Sequence, residues 1–364
     1  MLYQKYPCLE VNLGHLKENV EVVTRNCGKY GISVAGVMKG PSGIPECSRQ
    51  FQDGGCRYIA SSRIDQLAAA VESGISVPTL LIRIPMLSDV QNVIRYADYS
   101  LESEVAVLKA LDEEAGRQKK LHRVVIMADL GDLREGFWDK DEMADVCAWV
   151  ENDLEHLELA GVGTNVGCYG SVLATPEKLE ELVVIARRVE ERIGRKLEIV
   201  SGGASSSYMR VLDGNIPEGI TNLRIGEQIL LARDLDVFYG YDLRDMHQDV
   251  FTLKTELIEV KDKPTHPVGE LGVDAFGRKQ HYEDRGIRKR ALAAIGKVDY
   301  GSIEEIFPRE PGVEIVGASS DHTILDIQDA KRELQVGDVL EFDIDYASLV
   351  YLSNVRDVRI EFVK

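Results

Sequence analysis

Apolar positions along the chain fall into two successive rhythms. Leu13, Leu16, Val20 and Val23 recur at helical spacing, Gly28 and Gly31 are placed to close that helix, and an unbroken apolar run over 32–37 follows. The pair then repeats. Strands are predicted over 58–60, 79–82, 98–100, 123–128, 157–162, 197–200 and 222–225. Helices are predicted over 64–71 with Gly74 as stop, after Ser88 as N-cap, and over 102–115, 142–150 and 176–192, while the segment around Pro45 and Phe51 reads as polar with one apolar side. Eight strands, each followed by a helical pattern, predict an α/β fold built as a (β/α)8 TIM barrel, with an open doubly wound sheet as the alternative.

Past Ala232 the rhythm shortens to two. Residues 251–260 alternate as a strand, 261–267 read as a polar turn, and short strands are expected over 291–295, 313–316, 323–327, 339–342 and 355–363. A loop over about 262–290 is dense in Asp, Arg and His, and loops of that length are usually functional or disordered. The expected division is a barrel over 10–235 and a mostly β domain over 236–364, which residues 1–9 join.

Composition narrows the function classes. With 364 residues, 44% of them apolar, the chain can bury a full core. A net charge of −18 argues against nucleic acid as a partner and gives a weak push toward cationic substrates, although solubility alone accounts for it. No apolar run is long enough for a membrane span, and Met1-Leu2-Tyr3-Gln4-Lys5 lacks the layout of a signal peptide, so a cytoplasmic protein is expected. The six cysteines show no CxxC spacing and suggest neither zinc nor a disulfide framework; most read as small core residues.

Barrels carry their chemistry at the C-terminal ends of the strands, and the unusual loops crowd there. Lys39 follows Val34-Ala35-Gly36-Val37-Met38 without a spacer. A lysine held at a sheet rim is partly desolvated, which lowers the pKa of its amine toward the range of a nucleophile or base; a snorkelling surface lysine is the plain alternative. Arg134 lies between glycines after the fifth strand, and Gly163-Thr164-Asn165-Val166-Gly167-Cys168-Tyr169-Gly170 follows the sixth. Ser201-Gly202-Gly203-Ala204-Ser205 after the seventh strand, with Gly226 after the eighth, offers backbone amides and hydroxyls to a phosphate, or else a tight turn with a serine cap. Arg224 on the last strand is either half of a structural ion pair or a permanent cation for a cofactor ring nitrogen.

Taken together, Val37-Met38-Lys39-Gly40, Arg134 before Gly136, Gly203-Ala204-Ser205 and Leu223-Arg224-Ile225-Gly226 resemble the fold-type III pyridoxal-phosphate enzymes of the alanine racemase group. The resemblance runs from about residue 9 to the C-terminus. Gly163-Thr164-Asn165, Cys168-Tyr169-Gly170 and the stretch from Gly269 to Gly277 look most like its ornithine and broad-substrate amino-acid racemase branch. It implies pyridoxal 5'-phosphate as cofactor, Lys39 as the Schiff-base lysine, Ser205 and Gly226 at the phosphate, Arg224 at the ring nitrogen and Arg134 as an orienting arginine. Asn165 stands where a histidine stacks on the ring in alanine racemases. It also implies a head-to-tail homodimer with shared active sites, in which Ser320 and Asp321 reach the carboxylate of a small-molecule amino-acid substrate and Tyr346 reaches the phosphate.

The chain also departs from that group. Gly296-Lys297-Val298-Asp299 stands where alanine racemases carry a catalytic tyrosine, and Ser42-Gly43 replaces the tyrosine that usually follows the lysine motif. Racemisation needs a proton acceptor on one face of the α-carbon and a donor on the other. Lys39 can serve one face; Cys168, Tyr169, His281, Asp284 and Lys297 are candidates for the other. Asp321 and His322 equally suit a turn. The expected function is racemisation of an amino acid, dibasic (ornithine or lysine) or of broad range. A decarboxylase or aldolase of the same fold and a non-catalytic pyridoxal-phosphate homeostasis protein are the alternatives, the β domain speaking against the last.

Overall fold

The computed structural model describes residues 5–274, 276–279 and 281–364. Residues 1–4, which enter the reading of the N-terminus, and Ala275 of the Gly269 to Gly277 stretch lie outside them. The chain divides into two units, one of 15–247 and one formed by 1–14 with 248–364, so the change of unit falls later than the expected 235/236.

Strand β1 (Cys8–Asn12) belongs to the second unit. In the first, β2 (Ser33–Val37), β3 (Tyr58–Ser61), β4 (Thr79–Leu81), β5 (Tyr99–Glu102), β6 (His122–Ala128), β7 (Leu157–Thr164), β8 (Ile199–Ser201) and β9 (Asn222–Ile225) form a closed parallel barrel in chain order. The barrel closes where β2 pairs with β9, Ala35 opposite Arg224. The doubly wound alternative is thereby excluded. Strands covered on both faces bury nearly every side chain, which is why they read as continuous apolar runs rather than as alternation. Small and large side chains interlock inside, among them Ala35, Val37, Tyr58, Ala60, Tyr99, Leu101 and Met127.

Three local expectations change. The segment after Lys39 is helical over Pro45–Asp53, proline taking the first position where its missing N–H costs nothing. Ser88 caps nothing; it lies inside a short 3-10 turn, Leu87–Asp89. Glu102 ends β5 and the next helix is Val105–Gln118, so the helical period read from 102 onward begins three residues later.

The second unit is one sheet with the central order β12-β15-β10-β11-β14-β13, with β1 beside β10 and β16 beside β1. Its members are β10 (Phe251–Pro264), β11 (Ile287–Ala293), β12 (Ile306–Pro308), β13 (Glu314–Ala318), β14 (Thr323–Asp326), β15 (Val339–Ile344) and β16 (Arg359–Val363). β15 alternates half-buried and buried positions along its whole length, the sign of a sheet with one packed face. β10 is the spine of the sheet. It continues to Pro264, pairing Lys261 with Arg290 and Pro264 with Ile287, so the expected polar turn at 261–267 is largely ribbon. That ribbon is polar because both its faces are wet, and no apolar stripe marks it in the sequence. The irregular loop accordingly shortens to 265–286.

Candidate active site

β2 delivers Lys39. After Val37 the chain turns tightly: Met38 N–H donates to Ala60 O at 2.7 Å and Gly43 N–H to Met38 O at 3.0 Å. Lys39 is thus held two residues past the strand rather than on a mobile arm. Burial pushes its amine below the ordinary lysine value; Cys168 and Glu135 oppose that shift, and Arg134 and Arg224 add to it. The loops after β6 and β7 and the strand β9 therefore act on one amine.

Arg224 on β9 is buried, and no carboxylate pairs with it among the described residues. Its Nη1 donates to Ser201 Oγ at 2.5 Å and its Nη2 to Thr164 O at 2.8 Å. Ser201 Oγ donates onward to Asn222 Oδ1 at 2.7 Å, whose amide reaches Ser33. Burial pushes the guanidinium down to about 10, still a cation at neutral pH. The structural ion-pair alternative is thus not what is seen.

The loops after β8 and β9 meet. Ser205 Oγ accepts from Gly226 N–H at 3.3 Å and Gln228 N–H at 3.4 Å. Gly203 has φ +115°, and a Cβ there would stand 2.6 Å from Ser207 Oγ, so the turn is open to glycine alone. Ser205 is not the N-cap of the helix Ser205–Leu212; that position is Ala204, with no side-chain cap. Beside them Asn165 is buried, and its Nδ2 has no hydrogen-bond partner. A buried orphan donor is costly unless a ligand supplies the acceptor.

Arg134 is paired with the adjacent Glu135, Nη2 to Oε1 at 2.6 Å, which raises its already high pKa. Cys168 is exposed, whereas the other five cysteines are buried. Tyr169 is 72% exposed, its ring in solvent. Asp132 was not singled out by sequence, yet it organises this loop. Its buried carboxylate accepts the backbone N–H groups of Gly167 and Tyr169 at 3.0 Å and of Gly170 at 3.1 Å. Burial pushes Asp132 up, but the amides of Tyr169, Gly167, Val172 and Cys168 outweigh it and leave its carboxyl below the ordinary value. The signal in the sequence was weak, one aspartate among several in a glycine-rich loop.

The remaining candidates lie in the β unit. Lys297 starts the helix Lys297–Tyr300, and its N–H donates to Ser319 O at 3.0 Å. Gly296 makes this possible, since a Cβ there would stand 2.0 Å from Ser320 O. Ser320 Oγ donates to Asp321 Oδ2 at 2.7 Å, and Ser319 N–H donates to His322 O at 2.8 Å, closing the turn that was the alternative reading. Tyr346 begins the helix Tyr346–Leu352. His281 and Asp284 are exposed in the 265–286 loop. Lys297, Ser320 and Asp321 are thus brought together, as are Lys39, Arg134, Cys168 and Arg224.

A barrel of this order with a desolvated lysine and an unpaired buried arginine at its mouth matches a known family. The alanine racemase N-terminal domain model covers residues 11–233, and the chain belongs to that family. It is 41% identical to the ornithine racemase of Acetoanaerobium sticklandii over 345 residues, 95% of this chain and 96% of that protein. It is 38% identical to the lysine racemase of Thermotoga maritima over 95% of each chain. Among solved structures, the alanine racemase of Streptomyces lavendulae superposes with a TM-score of 0.78 at 15% identity, over 100% of this chain and 98% of that one, a likeness of fold. The D-threonine aldolase of Filomicrobium marinum shares the fold as well, at a TM-score of 0.71 and 13% identity, over 96% of this chain and 89% of that one. Among the described residues no helix is long and apolar enough to cross a membrane.

Proposed function

We propose that this protein is a pyridoxal-phosphate-dependent racemase of dibasic amino acids, ornithine or lysine. The observation that carries the reading is Lys39, a strand-end amine whose pKa is lowered by burial, set among residues that fit the cofactor. The fit rests on Asn165 Nδ2, a buried donor in need of an acceptor, on the glycine-only turn at Gly203, and on an Arg224 with two of its N–H donors used within the barrel. When bound, pyridoxal phosphate supplies an electron sink that makes an amino acid's α-hydrogen acidic.

Ser205, Gly226 and the start of the following helix hold the phosphate, joined by Tyr346. Arg224 would donate toward the ring nitrogen and, as a guanidinium that keeps its proton at neutral pH, would leave that nitrogen unprotonated. Asn165 would offer its unpartnered Nδ2 to an acceptor on the ring. Lys39 carries the cofactor and moves a proton at one face of the substrate's α-carbon. For the opposite face the favoured candidate is Cys168, which lies close enough to Lys39 to act on its amine and sits in the loop that Asp132 anchors. Arg134 orients that group. Lys297, Ser320 and Asp321, contributed from a partner in a head-to-tail homodimer, complete the substrate's surroundings. The dibasic substrate follows the two relatives named for ornithine and lysine, with the acidic balance of the chain in the same direction.

The test is α-hydrogen exchange in deuterated water with L-ornithine, L-lysine and L-alanine, together with borohydride reduction of the holoenzyme. Exchange with loss of optical rotation, fastest for the dibasic substrates, and a reduced adduct on Lys39 are expected. Released carbon dioxide or aldehyde would move the protein to the decarboxylase or aldolase reading, and cofactor binding without turnover to the homeostasis reading.

A further inference from the structure

The β unit contains a cavity of about 480 Å³, within the size range of small-molecule sites, walled by the 265–286 loop, β11 and β13. Its charge runs against that of the chain. In a protein of net charge −18, arginines generally find carboxylates, and two close by in the chain do: Arg285, on the cavity wall, bonds Glu314 at 3.0 Å and Asp326 at 3.2 Å, and Arg288 bonds Asp326 at 2.6 Å and Asp329 at 2.5 Å. Arg290, two residues along the same strand, has none among the described residues. Its Nη2 donates to Thr265 O at 3.2 Å, and its Nε is buried without a partner. Lys297, on the facing wall, likewise has no carboxylate partner among the described residues; its Nζ lies over the Phe276 ring, 4.8 Å from the centroid. An aromatic face can hold an ammonium, but only weakly compared with an anion in the same place.

Leaving two cations unneutralised in one walled space costs stability unless an acceptor arrives. Glu283 lines the cavity too but bonds neither cation, and Asp274 spends its carboxylate on the amides of Phe276 and Arg278. The other walls are Ile303, Val316 and Ile324, apolar surface that a bare inorganic ion does not use. From this juxtaposition we propose that the cavity binds a small organic carboxylate, its charge between Arg290 and Lys297 and its hydrocarbon part against Ile303, Val316 and Ile324. Lys297 leaves the Phe276 face when the carboxylate enters. The carboxylate is either that of the substrate itself or that of a separate effector, and the proposal depends on neither the cofactor nor the racemase reading.

Butyrate is the probe, titrated calorimetrically into the holoenzyme, with butyltrimethylammonium, which cannot form a Schiff base, as the charge control. Butyrate is expected to bind and butyltrimethylammonium not to. Arg290→Gln and Lys297→Gln are each expected to weaken butyrate about tenfold or more, the loss of one charge-assisted contact, and Arg290→Lys to recover part of it. Saturating ornithine that displaces butyrate assigns the site to the substrate's carboxylate; undiminished butyrate binding assigns it to an effector. Absence of butyrate binding, or an affinity unchanged in both variants, overturns the proposal. Lys297 is partly exposed, so Lys297→Gln by itself decides the matter should Arg290→Gln fail to fold.

Discussion

Two arginines show how differently the two units use the same side chain. Arg224 is buried at the barrel mouth, where it bonds a serine hydroxyl and a backbone carbonyl and, among the described residues, no carboxylate. Arg288 in the β unit grips Asp326 and Asp329 and, with Arg285, neutralises the buried Asp326 carboxylate. A guanidinium with carboxylates on two sides stabilises the sheet it sits on. One kept without a carboxylate, at a cost in desolvation, is retained for what it does to something else. Lack of a carboxylate partner among the described residues thus sets Arg224 apart from the ion-paired arginines of the sheet.

That contrast can be broken by substitution. The largest effect is expected from Lys39→Ala, which should lower racemisation by roughly 10²–10⁴-fold or more and abolish the borohydride-fixed adduct, with thermal stability unchanged or raised by removal of a desolvated amine. Arg224→Ala should cost on the order of a hundredfold in kcat while shifting Tm little. If it cost stability and spared activity, the distinction between the units would fail. Asp132→Ala should free the 167–172 loop and reduce kcat about tenfold, with far-UV circular dichroism unchanged; Asp132→Asn, able to accept from fewer amides at once, should fall between.

Arg288→Ala is the opposite case. It should lower Tm by a few degrees with little effect on kcat, and most of the loss should appear above the carboxylate range of pH. Burial raises the Asp326 carboxyl, but Arg288, Gln328 N–H and Arg285 hold it below its ordinary value. Its stabilisation is therefore present above about pH 4 and lost as pH falls through the lower folded value. The opposite sign belongs to Glu102. This carboxyl on β5 is fully buried, receives Ser100 O–H at 2.5 Å, and has its second oxygen unpartnered. Burial pushes it up to about 8. A raised carboxyl stabilises the fold below its unfolded value and loses that contribution as pH rises toward 8. Glu102→Gln should accordingly be more stable than the parent in urea unfolding at pH 9 and little different at pH 5.

Most barrel strands were legible because fully covered parallel strands leave apolar runs, β5 and β9 with their polar members only through the regular spacing of the series, and the lysine was legible because nothing separates it from such a run. The charged ribbon continuing β10 to Pro264 was not, since wet strands carry no apolar stripe. Ser88 failed as a cap because capping depends on one backbone angle, which the adjoining 3-10 turn took away. The exposure of Cys168 was hidden for a related reason: the carboxylate that shapes its loop comes from more than thirty residues upstream.

The sequence by itself determined the alternation of strands and helices, the change to a β pattern past residue 232, and which side chains stand at strand ends. Those follow from local spacing, in which each residue's neighbours are given. Only the tertiary structure decided which charges find partners: that among the described residues Arg224 and Arg290 lack carboxylates while Arg288 has two, and that Asp132 gathers a distant loop. Pairing of charges is a property of distances between elements, and chain closure sets those distances where spacing along the sequence does not.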